Sequence, residues 1–229
     1  MLREAKGNMY SWVTHTWNTV KGECPHGCAY CYMKRWGKQK PVRFDESELK
    51  TELNSTSWFM RQNNFIFVGS SCDMFADDIP VEWIEKTIDH CNKYYLSNYL
   101  FQSKNPARII SFLGRIPNKS SVCTTIETNR FYPDIMKKSP RPVERAGFMN
   151  KMKDSFYDRF VTIEPVMDFD LNDMIQFIKA CEPNQVNIGA DSGHNNLPEP
   201  SKEKLLALID ELQKFTVIDQ KNNLTRLLI

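Results

Sequence analysis

Short runs of β-branched and aromatic residues alternate with stretches of helical periodicity along the chain. Six runs read as strands: Trp12-Val13-Thr14-His15-Thr16, Phe65-Ile66-Phe67-Val68, Tyr99-Leu100-Phe101, Val122-Cys123-Thr124-Thr125-Ile126, Phe160-Val161-Thr162-Ile163 and Val186-Asn187-Ile188. Helical signals fill the gaps. Asp45 with Glu48 three residues later reads as a capping box before a short helix. Asp78, followed by Ile79-Pro80, opens a helix with Ile84, Ile88 and Cys91 on one face. Asn105-Pro106 is a cap with proline at the first helical position. Leu171, Met174, Ile175 and Ile178 recur at helical spacing, as do Leu205, Leu208, Ile209 and Leu212. Strand and helix in alternation imply parallel strands joined by crossovers. Six units are too few for a closed eightfold barrel and fit a partial (β/α)6 barrel. A flat doubly wound sheet is the alternative. The tail, Leu224 to Ile229, is a candidate last strand.

Either architecture binds its ligands at the C-terminal ends of the parallel strands. Polar residues gather there: Gly69-Ser70-Ser71-Cys72-Asp73 after the second run, Gln102-Ser103-Lys104 after the third, Glu127-Thr128-Asn129 after the fourth, Glu164-Pro165 after the fifth and Asp191-Ser192-Gly193 after the sixth. One such residue is an ordinary solvated strand end. Five consecutive strands carrying them suggest a site.

Composition narrows the class. With 229 residues and 41% hydrophobic content, the chain can fill one core, read as a single domain over residues 1–229. A net charge of +2 argues against a general nucleic-acid or membrane-surface binder. No apolar run is long enough to span a bilayer, and Met1-Leu2-Arg3-Glu4 lacks a secretory signal core. The expectation is a cytoplasmic monomer. Seven cysteines, three of them clustered, make a poor disulfide framework and a better metal site.

Residues 24 to 31 read Cys-Pro-His-Gly-Cys-Ala-Tyr-Cys, a C-x3-C-x2-C spacing. Three thiolates on a glycine-containing loop can converge on one inorganic centre. A structural zinc site wants four protein ligands, and a fourth cysteine is missing locally. A [4Fe–4S] cluster held by Cys24, Cys28 and Cys31 leaves one iron open for a ligand. Zinc, with His26 or His15 as fourth ligand, is the alternative.

The C-x3-C-x-aromatic-C loop, with Tyr30 as the aromatic residue and placed after the first strand, resembles the cluster motif of the radical S-adenosylmethionine (SAM) superfamily. The succession Thr16-Trp17-Asn18, the cysteine loop, Val68-Gly69-Ser70, Ser103-Lys104-Asn105-Pro106, Ile163-Glu164-Pro165 and Gly189-Ala190-Asp191-Ser192-Gly193 resembles a small phage-associated radical SAM group of unassigned substrate. That group is itself similar to the spore photoproduct lyase family. The resemblance implies SAM bound at the open iron, an electron supplied by a reductant such as flavodoxin or ferredoxin, and a 5′-deoxyadenosyl radical that takes hydrogen from substrate. It also implies roles. Ser70, Ser71 and Asp73 stand where many members carry Gly-Gly-Glu for the SAM amino group, a departure from that pattern. Lys104 stands where the lyase family has a lysine for the SAM carboxylate. Glu127, Asn129 and Glu164 are candidates for the ribose or methionine part. Tyr30, Tyr32 and Trp36 are candidates to line the adenine or pass a radical on, and read equally well as core. Cys72 is the candidate that returns hydrogen to a product radical.

By the same resemblance the substrate is a nucleic-acid base or nucleoside. Lys34, Arg35, Lys38, Lys40 and Arg43 form one basic stretch, and Lys137, Lys138, Arg141 and Arg145 another. They read as solvated faces unless both lie at the rim, where they can grip a nucleic-acid backbone. Other readings remain open: a non-catalytic zinc- or cluster-stapled binding protein, or a radical enzyme acting on a peptide or small metabolite. No second C-x2-C provides for another cluster.

Overall fold

A computed structural model describes residues 1–54 and 64–229. Its frame is an α/β sheet of eight strands, in the spatial order β1 (Arg3–Glu4), β2 (His15–Trp17), β5 (Phe65–Val68), β6 (Asn98–Gln102), β7 (Ser120–Thr125), β8 (Asp158–Ile163), β9 (Gln185–Ile188), β10 (Val217–Gln220). Every pairing from β2 to β10 is parallel. Only β1 runs antiparallel, against β2. The order is linear, so β1 and β10 remain edges and the barrel is partial. A separate two-stranded sheet, β3 (Val20–Lys21) and β4 (Arg43–Phe44), brackets the cysteine loop.

Helices cover the outer face: α1 (Val81–Asn92), α2 (Pro106–Ile110), α3 (Pro133–Met136), α4 (Pro142–Asn150), α5 (Leu171–Ala180) and α6 (Lys202–Leu212). The expected apolar stripes face the sheet, with Ile84, Ile88 and Cys91 of α1 and Leu205, Leu208 and Leu212 of α6 buried in the main core. Strands covered on both faces carry near-continuous apolar or small residues, and all six residues of β7 are buried. A second, smaller cluster fills the barrel interior: Tyr10, Val13, Leu100, Cys123 and Phe160, with Trp12, Phe65 and Phe67 against them.

The N-terminal segment supplies that inner layer. Residues 5–13 leave the β1 edge and cross the barrel to the opposite strands. The Tyr10 hydroxyl donates to Gln102 Oε1 of β6 (2.8 Å) and lies 2.7 Å from Thr162 Oγ1 of β8. Asn8 Nδ2 reaches Glu164 Oε1 at 2.7 Å, just past β8. The segment therefore forms a floor and bridges the gap that the open sheet leaves.

Four local expectations change. The first run is strand only over His15–Trp17, because Trp12 and Val13 are drawn into the interior. The tail is not a strand: β10 lies at Val217–Gln220, and Asn222–Leu227 forms a 3-10 helix. Asp45 caps a 3-10 helix at Glu46–Lys50 by accepting from Ser47 N (3.2 Å), while Glu48 turns to Lys21 Nζ at 2.6 Å and completes no box. Asn105 precedes α2 without a side-chain cap, since its amide donates to Phe75 O and Asp77 Oδ1.

Candidate active site

The cysteine loop lies in the first crossover, at the C-terminal ends of the parallel strands. Gly27, at φ +64°, turns the chain where a side chain would strain it. Gly27 N donates to Cys24 O (3.1 Å) and Cys31 N to Cys28 O (3.2 Å), winding the loop tightly. Outside support comes from the α3 segment, through Ala29 N to Ile135 O (2.8 Å) and Lys138 N to His26 O (3.1 Å). The loop runs directly into a 3-10 helix, Tyr32–Trp36.

Cys24, Cys28 and Cys31 line one cavity of about 730 Å³. Its wall also takes in Tyr30, Ser70, Ser71, Asp73 and Lys104, and its far end Tyr10, Gln102, Thr162, Glu164 and Lys221. This volume suits a cofactor together with a small substrate.

Three polar networks organise the wall. In the first, Cys24 and Cys72 are neighbours that act on each other: Cys72 brings the Cys24 thiol down to about 6, and Cys24 with burial pushes Cys72 far up. In the second, buried Asp73 accepts from His26 Nε2 (2.8 Å), Ser103 Oγ (2.9 Å) and Lys104 N (2.8 Å). Burial works to raise its carboxyl, and His26 with the other donors more than reverses this. In the third, Lys104 Nζ lies 3.5 Å from Cys28 Sγ and 2.9 Å from Glu127 Oε1. Tyr30 OH bonds to both Lys104 and Glu127. Behind them Arg145 donates to Glu127 Oε2 (2.7 Å), Thr125 O and Pro140 O. Burial works to lower the Lys104 ammonium, but the Cys28, Glu127 and Tyr30 groups hold it well above the ordinary lysine value. It is a fixed cation at the cavity wall.

The far end is polar too. Glu164 accepts from Asn8 (2.7 Å), Asn223 (3.0 Å) and Lys221 (2.5 Å). Gly189 makes room: a Cβ there would stand 2.7 Å from Glu164 Oε1 and 3.0 Å from Asn223 Oδ1.

A family model described as "Protein of unknown function (DUF5131)" matches residues 8–202. The chain belongs to this family. No curated protein matches the chain. Among solved structures, spore photoproduct lyase complexed with dinucleoside spore photoproduct superposes with a TM-score of 0.67 at 10% identity, covering 94% of this chain and 80% of that one. A mutant of the lyase with bound AdoMet and dinucleoside spore photoproduct gives 0.60 at 12% identity, covering 91% and 64%. These likenesses show that the DUF5131 chain has the partial barrel of the lyase.

The residues singled out in the sequence divide into three groups. The three cysteines, Tyr30, Ser70, Ser71, Asp73, Lys104 and Glu164 share the cavity wall. Glu127 is fully buried and reaches the cavity only through Tyr30 and Lys104. Asn129 and Cys72 lie off the wall. Asn129 turns to Asp170, whose N–H it accepts at 2.8 Å, and Cys72 packs in the main core behind Cys24. Its polar sequence neighbours concealed this, because Met74, Phe75 and Ala76 pack beside it. Arg145, placed by its basic neighbours on a solvated face, is fully buried. Asn8, Tyr10, Lys221 and Asn223 were missed: the first two lie between the two-residue β1 and β2, ahead of the first apolar run, and the others follow β10, which the sequence pattern did not show.

Among the described residues no three His, Cys, Asp or Glu side chains are already gathered around a metal position. The donor set nevertheless suits a thiolate-ligated cluster. All three loop cysteines are free and line the same cavity, and Cys72 lowers the Cys24 thiol; burial, with Cys24 and Cys28 adding to it, raises Cys31, a shift that a bound metal cation would reverse. His26 bonds to Asp73 through Nε2 at 2.8 Å, which fixes the ring against the wall.

Proposed function

We propose that this protein is a radical SAM enzyme acting on a nucleobase or nucleoside, with a [4Fe–4S] cluster on Cys24, Cys28 and Cys31 and a flavodoxin- or ferredoxin-type reductant. One observation carries the reading: three free thiols on a single loop open onto the 730 Å³ cavity at the strand ends, with the Lys104 ammonium 3.5 Å from Cys28 Sγ. The bound dinucleoside and AdoMet of the lyase structures support the choice of ligands.

When bound, the cluster and SAM supply reductive cleavage to methionine and a 5′-deoxyadenosyl radical that takes hydrogen from a substrate. The chain's own residues bind and orient. Lys104, held charged by Glu127, offers the SAM carboxylate a compact cation. Ser70 presents its hydroxyl and backbone at the rim, with Ser71 beside it, and Asn18 braces both through Ser70 Oγ (3.2 Å) and Ser71 N (2.9 Å). Asp73 accepts from His26, Ser103 and Lys104 N on Oδ2 and from Phe75 N on Oδ1, which fixes the wall, and it lines the cavity where the SAM amino group would lie. Tyr30 and the deeper Phe67 and Tyr10 give aromatic faces. Glu164 and Lys221 provide an acceptor and a cation at the far end, where substrate would lie. Cys72, behind Cys24 and between Ser71 and Asp73 of the wall, supports Cys24 and stays the candidate for hydrogen return.

Anaerobically reconstituted protein is expected to hold about four irons per chain and, with dithionite and SAM, to form 5′-deoxyadenosine. Replacing the three cysteines by alanine removes both. A colourless protein with one tightly bound zinc overturns the reading. Lys104→Ala is expected to weaken SAM binding by ~1.5–3 kcal/mol, the scale of a charged hydrogen bond. Unchanged affinity in an equilibrium binding assay takes Lys104 out of the site.

A further inference from the structure

The cysteine loop is flanked on both sides by exposed aromatic rings stacked with cations. On one side the 3-10 helix Tyr32–Trp36 leaves Trp36 58% and Tyr32 41% exposed, an unusual cost for large aromatic surfaces unless they meet a partner. The Arg35 guanidinium lies 4.0 Å from the centre of the Trp36 ring and 5.8 Å from that of Tyr32. The Tyr32 hydroxyl donates to Ser70 O at 2.6 Å, which ties this platform to the cavity rim. Lys34, Arg35 and Lys38 line the cavity mouth. Residues 32–43 contain five cations and no acid, and among the described residues none of the five has a carboxylate within ion-pair distance. On the other side Arg141 lies 4.9 Å from the half-exposed Phe131 ring. Lys137 and Lys138 are exposed between it and the loop that Lys138 N contacts.

We infer that these two flanks are a docking surface for a single-stranded polynucleotide, which delivers one unstacked base into the cavity. The inference rests on the enzyme reading above and names the form of its substrate. Unpaired lysines and arginines match phosphates, and exposed rings replace the stacking a base loses when it leaves its strand. A duplex keeps its base faces hidden, so Trp36 and Tyr32 would contribute little to it. The charge is local to the mouth in a chain whose net charge is only +2, so the surface recruits a strand to the site instead of coating the protein.

The test is fluorescence anisotropy on anaerobically reconstituted protein with a labelled ten-nucleotide oligothymidylate, its oligouridylate counterpart and a duplex of the same length. Either single strand is expected to bind at least about tenfold tighter than the duplex, and comparison of the two says whether the 2′-hydroxyl is read. Trp36→Ala is expected to weaken single-strand binding about tenfold, the scale of one stacked base, while Trp36→Phe keeps most of the affinity. The Lys34→Ala, Lys38→Ala double variant flattens the salt dependence. Duplex binding as tight as single-strand binding, or full affinity in Trp36→Ala, overturns the docking surface. If Trp36→Ala loses its iron, the phenylalanine and lysine variants decide in its place. Absence of iron and 5′-deoxyadenosine from the unaltered protein overturns the enzyme reading, a result separate from the binding measurements.

Discussion

Glu127 and Arg145 pair at 2.7 Å with no solvent exposure on either side. Burial works to raise the Glu127 carboxyl, yet Arg145 and then Lys104 bring it down to about 2. A carboxyl depressed in the folded state adds stability above its unfolded value of ~4.3. That stability is lost as pH falls from there through about 2. Glu127→Gln leaves Arg145 buried without its carboxylate and is expected to cost ~3–5 kcal/mol at neutral pH. Urea denaturation should show the gap between variant and parent narrowing toward pH 2, and a gap independent of pH counts against the pairing. Gly189 gives a second case. A methyl group there would meet the Glu164 carboxylate at 2.7 Å, so Gly189→Ala is expected to lower stability by ~1–3 kcal/mol, and an unchanged melting curve refutes the close approach. Lys104 was legible through the resemblance, which has a lysine at this strand end. Arg145 was not, because an arginine in a basic run has the same local signature whether it is solvated or buried. Only the fold brings Glu127 to it.

At the scale of elements, β5 to β9 were legible because they lie in the middle of the sheet. Covered on both faces, they carry near-continuous apolar or small residues at their centres, and the sequence reports that directly. Edges obey weaker rules. β10 is half exposed, with a burial pattern no strand template expects, whereas the apolar tail owes its composition to packing of Leu224, Leu227 and Leu228 on the core. β1, β3 and β4 span only two residues each, too few for any periodicity. The contrast is measurable. Ile84→Ala or Ile88→Ala in α1, both fully buried, should each cost ~2–5 kcal/mol. Val217→Thr on β10, 63% exposed, should change stability by less than ~0.5 kcal/mol. A large effect at Val217 in chemical denaturation contradicts its edge position.

At the scale of the molecule, the floor made by residues 5–13 couples the first part of the chain to the last. Asn8 bonds to Glu164 across 156 positions, and Tyr10 to Thr162 across 152. On a ribosome, residues 8–10 emerge long before their partners and must wait for most of the barrel to be made. Their burial therefore belongs to the end of folding, because contacts so distant in sequence carry the largest loop-closure cost. Tyr10→Phe, which leaves Gln102 and Thr162 without the hydroxyl, is then expected to speed unfolding of the cluster-free chain while leaving the refolding rate nearly unchanged. Slower refolding in stopped-flow kinetics would place the floor in the nucleus instead. A chain built this way has its interior open to water until Thr162 and Glu164 have been made, and the step that seals it is the return of a segment translated 152 to 156 positions earlier.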